Sequence, residues 1–187
     1  MNYLILINKT NLMNNSYYNN VKMVECNDIL GESIKIEIKT YESYLRLKKY
    51  LKSKNIFIDI ASAYRTFNEQ QNIIDEYTKK YGTIYTNKYV APVGASEHHT
   101  GLAIDLGLII NNEKHYEDED LFNYDDIYKE IHKCLSDFGF IHRYPNKKEN
   151  ITGYNYEPWH IRYVGDIAKY IYDNNLTLEE FIEEEKS

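Results

Sequence analysis

The chain has 187 residues, 43% of them hydrophobic, which is enough for one domain with a buried core and excludes a chain disordered by composition. Its formal net charge of −7 argues against a general nucleic-acid-binding surface. Two cysteines, Cys26 and Cys134, are too few and too far apart for a disulfide framework or a thiolate zinc site, and read as reduced thiols partly in the core.

Residues 3–7 form a five-residue apolar run, a short strand or an anchoring extended segment. The run is too short for a signal peptide or a membrane span and has no basic residues before it, so a cytoplasmic protein with no stable membrane insertion is expected if residue 1 is the natural start. Asn-rich residues 8–20 read as loop. Residues 21–25 and 33–38 suit edge strands around a turn at Gly31, the second alternating as Ile34-Lys-Ile-Glu-Ile38. From 40 to 54, Tyr41, Tyr44, Leu45, Leu47, Tyr50 and Leu51 recur at helical spacing. Residues 56–61 read as a buried strand. Thr66 and Glu69 make a capping box for a helix over 67–81 that ends near Gly82.

A loop is expected over 83–95 and a strand over 102–108. The acidic stretch 113–126 reads as solvated loop, with a substrate-facing lid as the less favoured alternative. A helix is expected over 127–138, with Ile127, Ile131, Cys134, Leu135 and Phe138 on one side. An extended return follows, then a strand over 159–164 and helices over 165–175 and 177–185, the last with a Thr177/Glu180 capping box. The 20 tyrosines read as compositional bias. No repeat or linker is visible, so residues 1–187 are expected to be a single domain.

Chemistry concentrates in Ser96-Glu-His-His-Thr-Gly-Leu-Ala-Ile-Asp105 and in Glu157-Pro-Trp-His160. Catalytic zinc takes three His, Asp or Glu ligands and keeps a position open for water. His98 and Asp105, seven apart across Gly101, can point at one ion from a loop and a strand. Asp105 lies among Leu102, Ala103, Ile104 and Leu106, where a carboxylate needs a partner. A cation supplies one, and a basic side chain or a turn cap is the alternative. Glu157-x-x-His160 taken alone reads as an ordinary surface loop; beside the first segment, His160 can complete a donor set, and Glu157 can then stand next to it as general base. His98 and His99 compete, since neighbours on an extended segment point to opposite sides. His132 reads as a surface helix residue, His142 as a half-buried strand residue and His115 as a loop residue.

The pattern Ser96-x-His98-x-x-Gly101-x-Ala103-x-Asp105 followed by Glu157-x-Trp159-His160 resembles the zinc D-alanyl-D-alanine peptidases, that is the VanY, VanX and VanXY enzymes and the related LAS metallopeptidases. Ser62-x-Tyr64-Arg65 with Gln70 is similar to that family's third signature, and the resemblance covers roughly residues 56–165. Phe138-Gly-Phe-Ile-x-Arg-Tyr-Pro and Tyr156-Glu-Pro-Trp-His-x-Arg-Tyr-Val-Gly look nearest to the VanXY type. One departure is Pro92-Val93-Gly94-Ala95, where the family has Pro-Gly just before the serine segment.

The resemblance implies an α+β fold of hedgehog/D,D-peptidase type, a small, mostly antiparallel sheet with helices packed on one side. It implies a Zn2+ cofactor held by His98, Asp105 and His160, which selects His98 over His99, and Glu157 as catalytic base. Arg65, which by itself reads as a surface ion pair, becomes the group that stabilises the oxyanion. Gln70 and Ser96 would bind the substrate amide or terminal carboxylate. Trp159 would form a pocket wall or simply pack in the core. The implied activity is a D,D-carboxypeptidase removing terminal D-Ala from peptidoglycan precursors ending in D-Ala-D-Ala, which would deplete targets of glycopeptide antibiotics. A D-Ala-D-Ala dipeptidase or a bifunctional enzyme on the same site, a cell-wall endopeptidase, and a zinc-binding module without catalysis are the alternatives.

Overall fold

The computed structural model describes residues 2–14, 17 and 21–186. Residues 15, 16 and 18–20 of the expected 8–20 loop lie outside the described part.

Strands β1 (Met23–Asn27) and β2 (Ser33–Glu37) pair as an antiparallel hairpin. Its turn is closed by Asp28, whose carboxylate accepts from the Leu30 and Glu32 N–H groups at 2.9 and 2.8 Å. Helix α1 (Ile38–Ser53) starts two residues before the expected point, because the Glu37 side chain caps it by accepting from Thr40 N–H at 2.8 Å. It buries Tyr44, Leu47 and Leu51, whereas Leu45 and Tyr50 remain exposed. Strand β3 (Ile58–Ser62) leads to α2 (Phe67–Tyr81), where the Thr66/Glu69 capping box forms as expected.

Helix α3 (Thr83–Tyr89) occupies part of the expected 83–95 loop. Tyr77, Tyr81, Tyr85 and Tyr89 recur every four residues, and their rings follow one another at 5.5, 4.8 and 4.5 Å. This aromatic row continues the α2 face across Gly82 (φ +84) and holds α3 against it. The composition hid a real periodic signal.

A 3-10 turn, Glu97–Thr100, then feeds strand β4 (Ala103–Ile110) through Gly101. Gly101 has φ +72, and a Cβ there would sit 2.6 Å from the Met23 side chain. The acidic stretch is ordered, correcting the loop expectation. It carries β5 (Glu113–His115), α4 (Asp118–Leu121), a 3-10 turn over Phe122–Tyr124 and the start of α5 (Asp125–His132). Leu121, fully buried, anchors it to the core. The expected 127–138 helix ends early in a further 3-10 turn, Leu135–Phe138, stopped by Gly139 at φ +80. Strand β6 (Phe140–His142), α6 (Glu149–Thr152), β7 (His160–Tyr163), α7 (Ala168–Asp173) and α8 (Leu178–Glu184, with the expected Thr177/Glu180 box) complete the chain.

The larger sheet has the order β3-β4-β7-β6, with β5 also on β4, and every pairing is antiparallel. Strand alternation divides its residues. Ile58, Ile60, Ile104, Leu106, Leu108 and Ile161 join α1 and α5 residues in the main core. Asp105, His160 and Arg162, each next to one of those residues in sequence, fall on the other face. A second cluster collects Ile141, Val164, Ile171, Leu178 and Phe181 with Leu4 and Leu6. The 3–7 run is thus an anchoring segment without strand pairing. The Tyr3 and Ile5 carbonyls accept from Arg162 Nη2 at 3.0 and 2.8 Å, in place of a neighbouring strand. No helix among the described residues is long and apolar enough to cross a membrane.

His132 is not a surface residue. Its ring stacks on that of His142, centroids 3.8 Å apart and planes 14° from parallel. Their Nε2 atoms lie 2.8 and 3.1 Å from the Pro158 and Glu157 carbonyls, so each carries its proton there. Burial lowers the pKa of both, and burial plus the neighbouring His132 takes His142 down to about 3. A folded-state pKa below the unfolded ~6.5 means that the unfolded chain gains protons first as pH falls. Stability carried by this pair is therefore present above about pH 6.5 and is lost on acidification toward pH 3. In the metal-free protein the melting temperature should fall across this range. Replacing His142 with Leu should flatten that fall by up to ~1.4 kcal/mol per pH unit. An unchanged slope in the variant would rule out the pair as its source.

Candidate metal centre and active site

Asp105, in the middle of β4, is registered opposite Ser62 on β3 and His160 on β7. A shift in the β3 register between Ile60 and Ser62 produces the first of these pairings. The sheet therefore delivers Asp105 and His160 side by side, and the 3-10 turn before β4 brings His98 over them. One donor atom from each of His98, Asp105 and His160 falls within 4.8 Å of the others. Asp105 Oδ2 is 3.0 Å from His98 Nε2, and Asp105 Oδ1 is 2.8 Å from His160 Nδ1.

The hydrogen-bonding roles in this cluster are constrained. His98 Nδ1 lies 2.6 Å from the Ala63 carbonyl, which only accepts, so Nδ1 carries the proton. Burial lowers the His98 pKa, which favours the neutral ring. Nε2 of the neutral ring then faces a carboxylate oxygen at 3.0 Å, a contact that a shared proton or a cation between the two atoms relieves. Imidazole and carboxylate donors suit zinc, and atoms sharing one tetrahedral zinc stand about 3.3 Å apart, so small side-chain adjustments close the set. Without such an ion, the cluster draws in protons. Against the opposing effect of burial, Asp105, Glu97 and Glu157 push His160 up to about 9. Against the same opposition, His98 and His160 hold Asp105 below the usual carboxylate range.

His99 points elsewhere. The segment is a 3-10 turn and not the expected extended chain, so successive side chains diverge by about 120°. His99 Nδ1 donates to the Arg65 carbonyl at 2.7 Å, and its Nε2 accepts from Gly94 N–H at 3.2 Å. It thereby ties the 92–95 loop, which departs from the family pattern, to the start of α2.

Glu157 Oε2 lies 3.8 Å from His160 Nδ1, at the edge of the donor set. Burial pushes its carboxyl up to about 8, with Asp105 and Asp118 adding to the shift and His160 and Arg65 opposing it. A carboxyl near neutrality can both accept and return a proton. Arg65 lines the same cavity. Its Nη2 donates to Ser62 Oγ and its Nη1 to Gln70 Oε1, both at 3.0 Å, and Gln70 Nε2 donates to the Ala91 carbonyl at 2.8 Å. Gln70 is almost wholly buried, and its amide is engaged on both sides.

The cavity has a volume of about 440 Å³ and brings together all eight residues singled out in the sequence: Arg65, Gln70, Ser96, His98, Asp105, Glu157, Trp159 and His160. Trp159 belongs to the main core and also lines the cavity, with its ring edge-on to Phe122 at 4.7 Å. Phe122, Asp118 and Glu119 bring the acidic stretch to the cavity lining.

Sequence reasoning missed Glu97, Arg143 and Tyr144. Tyr144 packs its ring on His160 at 4.7 Å. Glu97 is fully buried, its Oε1 accepting from Arg143 Nε and Arg162 Nη1 at 2.7 and 2.6 Å. The available signal was the polar alternation of His160-x-Arg162, two basic residues on one strand face beside an unassigned Glu.

The family profile described as VanY, D-alanyl-D-alanine carboxypeptidase, matches residues 33–166. The bifunctional D-Ala-D-Ala dipeptidase and D-Ala-D-Ala carboxypeptidase VanXYC of Enterococcus gallinarum is 41% identical over 66% of this chain and 65% of its own length. The chain thus spans slightly less than two thirds of that relative. The structure of a VanY D,D-pentapeptidase variant from a VanB-type resistance cassette in complex with Zn(II) superposes with a TM-score of 0.82 at 31% identity, covering 97% of this chain and 99% of that one. VanYB in complex with D-alanine-D-alanine gives 0.80 at 32% identity, covering 97% of each chain. With its α+β architecture, its antiparallel sheet and this profile match over most of its length, the chain belongs to the VanY family of D-alanyl-D-alanine carboxypeptidases.

Proposed function

We propose that this chain, as one domain over residues 1–187, is a zinc-dependent D,D-carboxypeptidase that removes the terminal D-Ala from peptidoglycan precursors ending in D-Ala-D-Ala. The observation that carries this reading is the convergence of one donor atom each from His98, Asp105 and His160 within 4.8 Å of one another, with His98 Nε2 and Asp105 Oδ2 3.0 Å apart and Glu157 beside them. Zn(II) in a VanY relative and D-Ala-D-Ala in VanYB supply the identities of ion and substrate.

His98, Asp105 and His160 would hold the zinc. When bound there, the metal supplies Lewis acidity, which makes water a nucleophile near neutral pH and polarises a carbonyl. Glu157 takes the proton of the attacking water on its carboxylate and returns it to the leaving amine nitrogen, so the carboxyl ends each turnover as it began. Arg65, whose fork is fixed by Ser62 and Gln70, stabilises the negative charge that develops on the scissile carbonyl oxygen. Ser96 and Gln70 line the wall where the substrate amide and terminal carboxylate bind, and Gln70 also aims Arg65. Trp159 closes the wall from the core side. In a cytoplasmic setting the substrates are the free dipeptide or the UDP-linked pentapeptide.

The 41% identity to a bifunctional relative favours a second reading, in which the same site also cleaves free D-Ala-D-Ala. Comparing D-Ala release from the dipeptide and from a pentapeptide decides between them.

Metal-stripped protein should release no D-Ala from the pentapeptide, and added zinc should restore release. Glu157→Gln should bind zinc as the parent does and lose turnover by several orders of magnitude; retained turnover would remove Glu157 as the base. Arg65→Ala should lower kcat about 100- to 1000-fold, roughly 3–4 kcal/mol, with zinc still bound. A change confined to KM would assign Arg65 to ground-state binding instead.

A further inference from the structure

We propose that Glu97 is a positioning residue for the metal centre: its Oε2 receives the Nε2–H of His160, so that His160 presents Nδ1 to the ion. The inference rests on reading His98, Asp105 and His160 as a metal site.

Glu97 Oε2 and His160 Nε2 are two of the three buried side-chain polar atoms left without a hydrogen-bond partner among the described residues, and they face each other at 3.6 Å. Burying either atom alone is costly. A movement of a few tenths of an ångström makes them donor and acceptor of one bond. The geometry on the opposite side of the ring agrees, since His160 Nδ1 is the nitrogen 2.8 Å from Asp105. A metal-binding imidazole is commonly fixed by a carboxylate on its other nitrogen.

Glu97 is itself held from behind. Both arginines bind its Oε1, leaving Oε2 for the histidine. Arg143 is fixed in turn by both carboxylate oxygens of Glu179 on α8, at 2.8 and 2.7 Å. Arg162 is fixed by the Tyr3 and Ile5 carbonyls. Two arginines and two glutamates balance in charge inside the fold, so Glu97 stays ionised despite burial: Arg143 and Arg162 outweigh the desolvation and keep its pKa low. Residues 3–5 and α8, both outside the motifs, thereby converge on one metal-facing imidazole.

The test compares Glu97→Gln with Glu179→Gln. Each removes one carboxylate from the arginine cluster, but only the first faces His160. Zinc affinity is measured by competition with a chromophoric chelator, and melting temperature is recorded for the metal-free proteins. Glu97→Gln should weaken zinc binding 10- to 100-fold. Glu179→Gln should stay within about two-fold of the parent even where its melting temperature falls as far. Equal zinc affinity in Glu97→Gln and the parent overturns the proposal. Long-range 1H–15N NMR of the zinc-loaded parent gives a reading even where Glu97→Gln does not fold. It should show His160 protonated at Nε2 and coordinated through Nδ1, and the reverse tautomer overturns the proposal. A parent that takes up no zinc would instead sink the metal-site reading on which this rests.

Discussion

The site depends on an electrostatic conflict that the fold imposes. Ala63 fixes the proton of His98 on Nδ1, so Nε2 meets the Asp105 carboxylate as one acceptor meets another. Backbone geometry on three strands and a 3-10 turn holds the groups there, with little room to relax, because Asp105 sits in a sheet position flanked by buried Ala103, Ile104 and Leu106. Such an arrangement is costly without a cation and favourable with one. In the absence of metal, Asp105, Glu97 and Glu157 favour a proton on His160 against its burial and push it up to about 9.

The elements around this conflict divide the labour. The sheet register sets Asp105 and His160. The capping box at Thr66 starts α2 so that Arg65, just before it, is held between Ser62 and Gln70. His99 locks the Arg65 carbonyl, so the two adjacent histidines of the motif face the Asp105–His160 cluster and the arginine respectively. The stacked His142 and His132 hold the carbonyls of Glu157 and Pro158, which fixes the backbone that carries the proposed base. Each of the proposed site groups thus has a partner that helps to fix its place.

What could be read from the sequence follows a physical divide. Both capping boxes, the hairpin and the central strand are local patterns, and they form where the residues indicate. The helix over Thr83–Tyr89 escaped because Gly82 and polar residues suggest a loop, while its support is the tyrosine row that spans two helices. His132 was misplaced for a related reason: its burial comes from β6 and the 156–158 segment, far along the chain. Asp105 stood out because a carboxylate is rare in an apolar run, and His98 and His160 stood out through their place in the motifs that resemble the family. Glu97 did not, since its partners Arg143 and Arg162, and the Glu179 that holds Arg143, are dispersed over the second half of the chain and only the fold collects them.

Zinc titration of the metal-stripped protein near pH 7, with proton release followed in a weakly buffered solution, tests the cation-between-acceptors account most directly. The account predicts one zinc per chain, with about one proton displaced per zinc as the metal takes over from the protonated imidazole. No saturable zinc site, or one that fills without releasing protons, would contradict it.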